Sequence, residues 1–352
     1  MRFIEVIEKF WYSRRWYHIL IFPLSIPFYL LVWFKYFFYR RGIFSSASSR
    51  VPVLVVGNLS VGGTGKTPFI SFLTQVLVQN GYRVGIVSRG YGAKITQFPH
   101  VISTHDSVAQ IGDEAYMQFQ KLGVPMAIAP QRAQAVNSLS REFDLDVIIS
   151  DDGLQHYAMA REFEVLLVDG QRGLGNQMVL PFGPLREPST RIKTVNWVVV
   201  NQNPTIMSHS QHQLKQQLLN YGKPLSYMTI KPVALVHLAS NEAVTMNNLK
   251  DQSVTAVCGI GNPTRFFETL APLCQKIDQV VFSDHHEFCA SDFVEFDAQT
   301  VVMTEKDAVK CHAFAQQNWY YLKISATLNQ SDTIELFNLL EQQILQHKPK
   351  PR

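Results

Sequence analysis

A glycine-rich stretch near the start of the chain constrains the fold more than any other feature. Residues 51–70 read VPVLVVGNLSVGGTGKTPFI, in which S-V-G-G-T-G-K-T matches the P-loop pattern G-x-x-x-x-G-K-[ST] except for Ser60 at the first glycine. The apolar run 51–56 predicts a buried strand, and a helix is expected from Lys66 to about residue 80. Strand, loop and helix in this order form a cradle for phosphate groups at the helix N-terminus. The sequence therefore predicts a nucleotide-binding α/β domain.

Each part of this loop has a role in holding a nucleotide. Backbone N–H groups of the glycines approach the phosphates, the Lys66 ammonium reaches the β and γ oxygens, and the Thr67 hydroxyl binds Mg²⁺. The residues expected to bind the nucleotide are Ser60, Val61, Gly62, Gly63, Thr64, Gly65, Lys66 and Thr67. The structural alternative is an ordinary glycine-rich turn between a strand and a helix.

Two adjacent carboxylates follow the apolar residues 147–150 in DVIISDDGLQH. A P-loop enzyme needs an acid on its metal ion, commonly at the end of a neighbouring strand. Asp151 and Asp152 are therefore predicted as metal ligands beside Thr67, because paired charges after a buried strand are costly unless a cation or donors receive them. A pair of loop-capping acids is the alternative, and Asp169 after VLLV is a weaker candidate for the same role.

Apolar strands alternate with helical stretches after residue 50, which predicts a parallel sheet covered by helices. The expected strands of the first unit are 51–56, 83–87, 126–129, 147–150, 165–168 and 197–200, with helices over 66–80, 114–121 and 132–141. A Gln-rich surface helix within 201–225 precedes extended linker strands over 225–239. The second unit has expected strands 254–258, 279–282 and 301–304, helices after Pro263 and from Glu305, a returning strand over 319–328 and a final helix over 333–346. We predict a P-loop core over 46–225 and a smaller α/β domain over 226–352.

The first 50 residues differ from the rest of the chain in charge and aromatic content. They carry eight basic and two acidic side chains, so this segment is +6 and the remainder is −2. It also holds 16 of the 41 aromatic residues, which favours a membrane surface over nucleic acid as partner. Residues 16–34 have no formal charge and approach the ~20 residues of a membrane span, but Pro23 and Pro27 interrupt them. We expect an interfacial or re-entrant membrane-associating helical segment over 1–45; a single span, and a buried or signal segment, are the alternatives.

Seven short motifs in a fixed order give a resemblance to a known family. They are GNLSVGGTGKTP (57–68), SRGYG (88–92), GDEAYM (112–117), DDGLQH (151–156), PFGPLREP (181–188), DHHEF (284–288) and TEKDAVK (304–310). Together they resemble the tetraacyldisaccharide 4′-kinases. The resemblance implies transfer of the γ-phosphate of ATP, with Mg²⁺, to the 4′-hydroxyl of tetraacyl-diglucosamine 1-phosphate, giving lipid IVA. It also implies a P-loop domain and a smaller domain joined by a two-stranded linker, at the cytoplasmic face of the bacterial inner membrane. We expect a monomer.

The resemblance also implies which residues handle the acceptor's proton. Asp113 in GDE is expected to be the base, and His285 in DHH its partner from the second domain; His285 is favoured over His286. From the sequence alone, Asp113 would instead be a helix N-cap. Glu114 is expected to be linked to the metal.

Further residues are expected around the transferring phosphoryl group and the acceptor. Arg186 in PLREP would neutralise charge on the phosphoryl oxygens, and Glu187 would orient Arg186 unless the two form a surface ion pair. Arg89 and Tyr91 in SRGYG are expected to line the cleft near the acceptor. Lys306 and Asp307 in TEKD receive no definite role.

A second class of function remains open at this point: a membrane-recruited P-loop ATPase or GTPase switch without a lipid acceptor. Guanine-selecting domains carry N-K-x-D, and NQNP at 201–204 lacks both the Lys and the Asp. A paired Asp–His base has no use in such a switch, so the kinase interpretation is favoured.

Overall fold

The computed structural model describes residues 7, 9–12, 18–203, 207–296 and 299–347. Of the predicted segment 1–45, residues 1–6, 8 and 13–17 therefore lie outside the described part, including Arg14, Arg15 and Trp16.

The elements up to residue 201 alternate strands with helices. They are α1 (His18–Arg40), β1 (Val53–Asn58), α2 (Lys66–Gln79), β2 (Val84–Ser88), β3 (His100–Val101), α3 (Val108–Ile111), α4 (Asp113–Leu122), β4 (Met126–Ile128), α5 (Arg132–Glu142), β5 (Val147–Asp151), β6 (Phe163–Asp169) and β7 (Trp197–Asn201).

The second part begins with a surface helix. Its elements are α6 (His209–Leu219), β8 (Leu225–His237), β9 (Ala243–Val244), β10 (Ser253–Cys258), α7 (Pro263–Leu270), β11 (Lys276–Val281), β12 (Thr300–Thr304), α8 (Glu305–Cys311), β13 (Trp319–Thr327) and α9 (Gln330–Gln346). Short 3₁₀ helices cover Ser189–Thr194, Met246–Leu249, Ala271–Leu273, Ala290–Phe296 and His312–Phe314.

The described strands form one mixed, mostly parallel sheet. Their order is β11-β10-β12-β13-β8-β7-β6-β1-β5-β2-β4-β3, and β9 pairs with β8. Only the pairs β3–β4, β8–β9 and β8–β13 are antiparallel among the described strands. β8 pairs with β7 through Leu225 to Met228 and with β13 through Thr229 to His237, so one strand crosses both parts of the sheet. The expected α/β fold with a parallel sheet is confirmed.

Burial explains why the central strands are continuous apolar runs. Every residue of β1, β5, β6 and β7 is buried, as expected for parallel strands covered by helices on both faces. One core lies on each face around β1, and two smaller cores enclose β10 and β12. Leu336 and Leu340 of α9 pack into a core around β1 rather than those around β10.

Helix α1 contains both prolines of the N-terminal segment and keeps much of its apolar surface exposed. Leu24, Leu31 and Phe34 are among its exposed side chains. In the described residues, no helix combines the length and the apolar character that crossing a membrane requires.

Candidate active site

The glycine-rich loop joins β1 to α2 as predicted. Helix α2 begins at Lys66 without a side-chain cap, so its N-terminus is arranged to receive an anion. Gly65 has a φ of 89°, and a Cβ there would collide with the Asn201 amide. Only glycine fits this position, which brings the backbone close to the phosphate site.

Lys66 faces a carboxylate and an amide at the end of the adjoining strands. Its Nζ lies 3.5 Å from Asp152 Oδ1 and donates to Asn58 Oδ1 at 3.2 Å. Arg186 Nη1 donates to the other oxygen of Asp152, Oδ2, at 2.9 Å. The structure thus brings together three of the predicted site residues, with two cations on one carboxylate.

The two adjacent aspartates occupy different environments. Asp151 is buried and accepts a hydrogen bond from Gln118 Nε2 at 2.9 Å; burial, partly opposed by Lys66, raises its pKa to about 6. Asp152 has a φ of 50°, and although burial acts to raise its pKa, Lys66 and Arg186 hold that pKa below the ordinary value. Asp152 is therefore the ionised carboxylate facing the loop lysine.

Asp169, the weaker candidate, ends the strand on the other side of β1. Its Oδ1 lies 3.3 Å from Arg265 Nη2 and accepts the N–H groups of Gln171 and Arg172. All three contacts are made by Oδ1, whereas Oδ2 is buried without a hydrogen-bond partner among the described residues.

Asp113 and His285, distant in sequence, are in contact. His285 Nδ1 lies 3.1 Å from Asp113 Oδ2 and 3.2 Å from Oδ1. Asp113 begins α4 after Gly112, whose φ of 86° and contact with the Tyr91 carbonyl exclude a side chain. His285 has a φ of 60°, a conformation that non-glycine residues adopt at a cost of ~1–3 kcal/mol, mostly at functional sites.

The contact shifts both pKa values. Burial acts to raise the pKa of Asp113, but the hydrogen bond with His285 and the charges of Lys306 and Lys310 outweigh it and lower that pKa. The same hydrogen bond raises the pKa of His285 against the opposing effect of burial. The pair therefore favours a charged carboxylate beside a basic imidazole.

The phosphate loop and the region around His285 border one cleft of about 1550 Å³. Its lining includes the loop from Val61 to Pro68, Asp151, Asp152 and Arg186 on one side, and Asp284, His285 and Lys306 on the other. Asp113, 7% exposed, lies behind the lining residues Glu114 and His285. Ser60 also lies behind the lining, because it is buried and its carbonyl accepts from Asn58.

The loop fits ATP with Mg²⁺. Thr64 Oγ1 and Asp152 Oδ1 are buried without a hydrogen-bond partner among the described residues, and a Cβ at Gly63 would meet nothing within 4 Å. Unpaired buried oxygens beside an uncapped helix N-terminus suit a nucleotide and its cation. The described residues contain no cluster of three or more His, Cys, Asp or Glu suited to a metal, but Mg²⁺ at such sites takes one or two carboxylates plus substrate phosphates.

Comparisons with known proteins agree with this geometry. The sequence profile of the family described as tetraacyldisaccharide-1-P 4′-kinase matches residues 17–344. The chain belongs to that family. The tetraacyldisaccharide 4′-kinase of Tolumonas auensis is 39% identical over 339 residues, covering 96% of this chain and 98% of that protein. The enzyme of the same name from Pasteurella multocida is 41% identical over 323 residues, covering 91% and 94%.

A solved structure is similar in fold as well. The "apo" form of LpxK from Aquifex aeolicus in complex with ATP superposes with a TM-score of 0.76 at 27% identity, covering 93% of this chain and 99% of that one. As a tetraacyldisaccharide-1-P 4′-kinase, the chain is an ATP-dependent kinase of lipid A biosynthesis that uses Mg²⁺. The nucleotide-switch alternative is therefore wrong.

The kinase has two basic residues near Asp113 that the sequence analysis did not assign. Lys306 Nζ lies 3.9 Å and Lys310 Nζ 3.7 Å from Asp113 Oδ2. Both lie on α8, which packs against α4, and an ion pair of 2.6 Å between Lys121 and Glu305 joins the two helices. The spacing i, i+4 in EKDAVK places both lysines on one helix face, a signal that could have been noticed.

His286 and Glu114 have other partners than the loop. His286 Nε2 lies 3.0 Å from Asp292 Oδ2, so the structure distinguishes it from His285. Glu114 Oε1 forms an ion pair with Lys306 at 3.1 Å. The role of Glu114 as a metal-linked acid stays a prediction.

Glu187 differs from expectation, because no contact with Arg186 is found among the described residues. It is 2% exposed, accepts hydrogen bonds from Gln155 Nε2 at 3.0 Å and from the Tyr157 hydroxyl, and lies 3.9 Å from Arg191 Nε. Both expected alternatives, an orienting acid for Arg186 and a surface ion pair, are wrong: Glu187 belongs to a buried network that, in the described part of the chain, reaches the cleft lining only through Gln155.

The two residues that were predicted to lie near the acceptor substrate are both in the cleft. Arg89 and Tyr91 line the cleft, and the Tyr91 ring lies 4.7 Å from the His285 ring. Arg132, which the sequence analysis did not assign, also lines it. Burial, together with Arg132 and three other cations, lowers the pKa of His156, another lining residue, to about 4.

Proposed function

We propose that the chain transfers the γ-phosphate of ATP to the 4′-hydroxyl of tetraacyl-diglucosamine 1-phosphate, giving lipid IVA, and that the residues above carry out the transfer. The observation that carries the proposal is one shared cleft. It is bordered by the phosphate loop on one side and on the other by His285, which contacts Asp113 behind it at 3.1 Å.

Lys66 and Arg186 are proposed to stabilise the phosphoryl group as it moves. Their cationic groups converge on Asp152, so γ-phosphate oxygens entering the cleft would meet both cations. Such preorganised charge is the main protein contribution to phosphoryl transfer.

Thr67 and Asp152 would hold Mg²⁺, with Asp151 behind them. Held there, the ion would supply positive charge to the phosphate groups during the transfer. Asp152 Oδ1, which faces the loop lysine and has no hydrogen-bond partner in the described residues, supports this assignment, and Asp151 accepts a hydrogen bond from Gln118 behind it.

The Asp113–His285 pair is proposed to remove the proton of the attacking hydroxyl, with Asp113 as base. The bond from the sugar oxygen to γ-phosphorus forms as the bond to the β-phosphate oxygen breaks, and its electron pair leaves with ADP. Arg89 and Tyr91 are proposed to contact the acceptor, since both line the cleft and the Tyr91 ring packs against His285 at a tilt of 48°.

The chain is proposed to act as two domains that close around both substrates, with β8 and β13 as the two-stranded connection. The antiparallel pairing of Thr229–His237 with β13 supports that connection. The boundary predicted at residue 226 is refined in one respect: the burial of Leu336 and Leu340 beside β1 favours assigning α9 to the P-loop domain.

The N-terminal segment is proposed to hold the enzyme, as a monomer, at the cytoplasmic face of the inner membrane. The exposed apolar side chains of α1 support an interfacial position. An acylated acceptor resides at such a surface, so the cleft and its lipid would meet there.

The test is transfer of labelled γ-phosphate from Mg-ATP to detergent-dispersed tetraacyl-disaccharide 1-phosphate by the wild type and Asp113→Asn. Loss of a positioned base lowers kcat by ~10²–10⁴, while nucleotide binding is kept. The matched control is Asp106→Asn, which removes an Asp–His contact of 3.0 Å with His100 outside the cleft lining. Two outcomes would contradict the proposal. One is a loss of ATP binding in Asp113→Asn as large as its loss of transfer. The other is release of labelled phosphate by the active wild type without labelled lipid.

A further inference from the structure

Lys306 makes a set of contacts that matches the hydrogen-bonding capacity of an ammonium group. Its Nζ lies 3.1 Å from Glu114 Oε1, 3.1 Å from Asp284 Oδ1 and 3.3 Å from His285 Nε2. An ammonium group has three donors and no acceptor. Each donor therefore has one partner, and His285 Nε2 is the third.

The two carboxylates keep Lys306 charged. Glu114 and Asp284 each place a carboxylate oxygen 3.1 Å from Nζ, and two such anionic partners favour the charged ammonium. Since a charged ammonium can only donate, a neutral His285 must offer the lone pair of Nε2. Its proton then resides on Nδ1, where it is donated to Asp113.

We propose that Lys306 is a positioning residue of the Asp113–His285 pair: by occupying the Nε2 lone pair it fixes the Nδ1–H tautomer and leaves the Asp113 carboxylate as the base. The inference rests on the proposed role of that pair. It explains why a lysine from the second part of the chain is buried beside the pair, 13% exposed.

The carboxylate has room for a further hydrogen bond. Asp113 Oδ1 already accepts the N–H of Glu114 at 2.8 Å and contacts His285. Among the described residues, His285 is the only partner within 3.5 Å of Oδ2, because both lysines stay beyond that distance. Oδ2 therefore keeps a lone pair that can accept the proton of the acceptor hydroxyl while His285 stays a donor.

The tautomer can be measured directly by imidazole nitrogen NMR of the full-length enzyme bound to nucleotide without acceptor, above the pKa of His285. The wild type is expected to show a protonated Nδ1 and an unprotonated Nε2 for His285, assigned with His285→Gln. In Lys306→Met this preference should be lost, and Lys306→Arg should restore it. A merely structural role would leave the tautomer unchanged.

The matched control is Lys310→Met. Lys310 carries the same charge on the same helix at a similar distance from Asp113 Oδ2, but its other contacts are Asp307, the His286 carbonyl and the face of the Phe288 ring. Its replacement should leave the His285 tautomer as in the wild type. A tautomer that changes equally in Lys306→Met and Lys310→Met would show an effect of charge alone and overturn the proposal.

Activity gives a second, separable readout. Lys306→Met should lower kcat at least ~10-fold, part of the ~10²–10⁴ contributed by a positioned base, with KM for ATP unchanged. His285→Gln should retain more activity than Asp113→Asn, because a glutamine amide still donates to the carboxylate. Equal losses in these two would make His285 the base and overturn the inference, whereas full activity of Asp113→Asn would overturn the proposed function itself.

Discussion

Lys66 and Asp152 face each other at the base of the cleft, with Nζ 3.5 Å from Oδ1. The lysine begins α2 and the aspartate follows β5, so the contact joins the phosphate loop to the neighbouring strand. The aspartate completes the arrangement with Arg186 on its other oxygen. The Asp152 carboxylate thus contacts the two cations, Lys66 and Arg186, that are proposed to bind the phosphate groups.

Replacing Asp152 should therefore impair Mg²⁺-dependent ATP binding more than replacing Asp151. Asp152→Asn removes the negative charge that faces the phosphate loop. Asp151→Asn removes only a group that supports the proposed metal ligand, and loss of such a group typically lowers metal affinity ~10–100-fold. The measurement is calorimetric titration of ATP at several Mg²⁺ concentrations. Circular dichroism melting checks that both variants fold, and a larger effect for Asp151→Asn would reverse the assignment.

The stabilising contribution of the Asp113–His285 contact should depend on pH. The pKa of Asp113 is lowered from 3.8, so its contribution is present above that value and lost as pH falls through the lower folded-state pKa. The pKa of His285 is raised from 6.5, so its contribution is present below 6.5 and lost as pH rises through the higher folded-state pKa. The contact is most stabilising between pH 3.8 and 6.5.

We expect the Tm difference between the wild type and His285→Gln to be largest in this pH range and to shrink above pH 6.5. A Tm difference that grows with rising pH would contradict this expectation.

The buried Glu187 network should stabilise the fold through Tyr157. The Tyr157 hydroxyl donates to Glu187 and accepts from Arg191 Nε at 3.1 Å. Tyr157→Phe leaves that carboxylate short of a donor, which costs about 1–3 kcal/mol in the free energy of unfolding. Urea titration measures it. The control is Tyr227→Phe, since the Tyr227 hydroxyl has no hydrogen-bond partner in the described part of the chain and its loss should be close to neutral.

The exposed face of α1 should bind anionic membranes. Leu24→Glu with Leu31→Glu places two charges on side chains that are already exposed, so sedimentation with phosphatidylglycerol vesicles should fall while Tm stays the same. The matched control, Ile334→Glu with Leu345→Glu, makes the same exchange at exposed positions of α9. Unchanged vesicle binding in the α1 variant would remove α1 as the membrane contact.

Much of the architecture follows from the sequence because local signals dominate it. The strand over 197–200 is observed as Trp197–Asn201, and the helix after the glycine-rich loop begins at Lys66. Less local features were missed. The extended residues 225–239 form a single 13-residue strand, Leu225–His237, and the two-residue β3 forms only by pairing with β4.

The site likewise has one part that local sequence signals predict and another that depends on long-range contacts. The phosphate loop is a local motif, so its residues could be named in advance. The network around Asp113 depends on α4 meeting α8, a contact between segments almost 200 residues apart that no spacing rule predicts. Glu187 was misassigned for this reason, since its neighbour in sequence, Arg186, turns toward Asp152 while Glu187 turns toward Tyr157.

The long strand β8 has a mechanical consequence. This strand is hydrogen-bonded to β7 at one end and to β13 along the rest. The two walls of the cleft therefore belong to one continuous sheet. A change in the width of the cleft would have to pass through β8 and β13, whose pairing is irregular between Lys323 and Ile324. Closure of the two proposed domains would therefore have to carry Lys66 and His285 toward each other without breaking the pairing of β8 with β7 and β13.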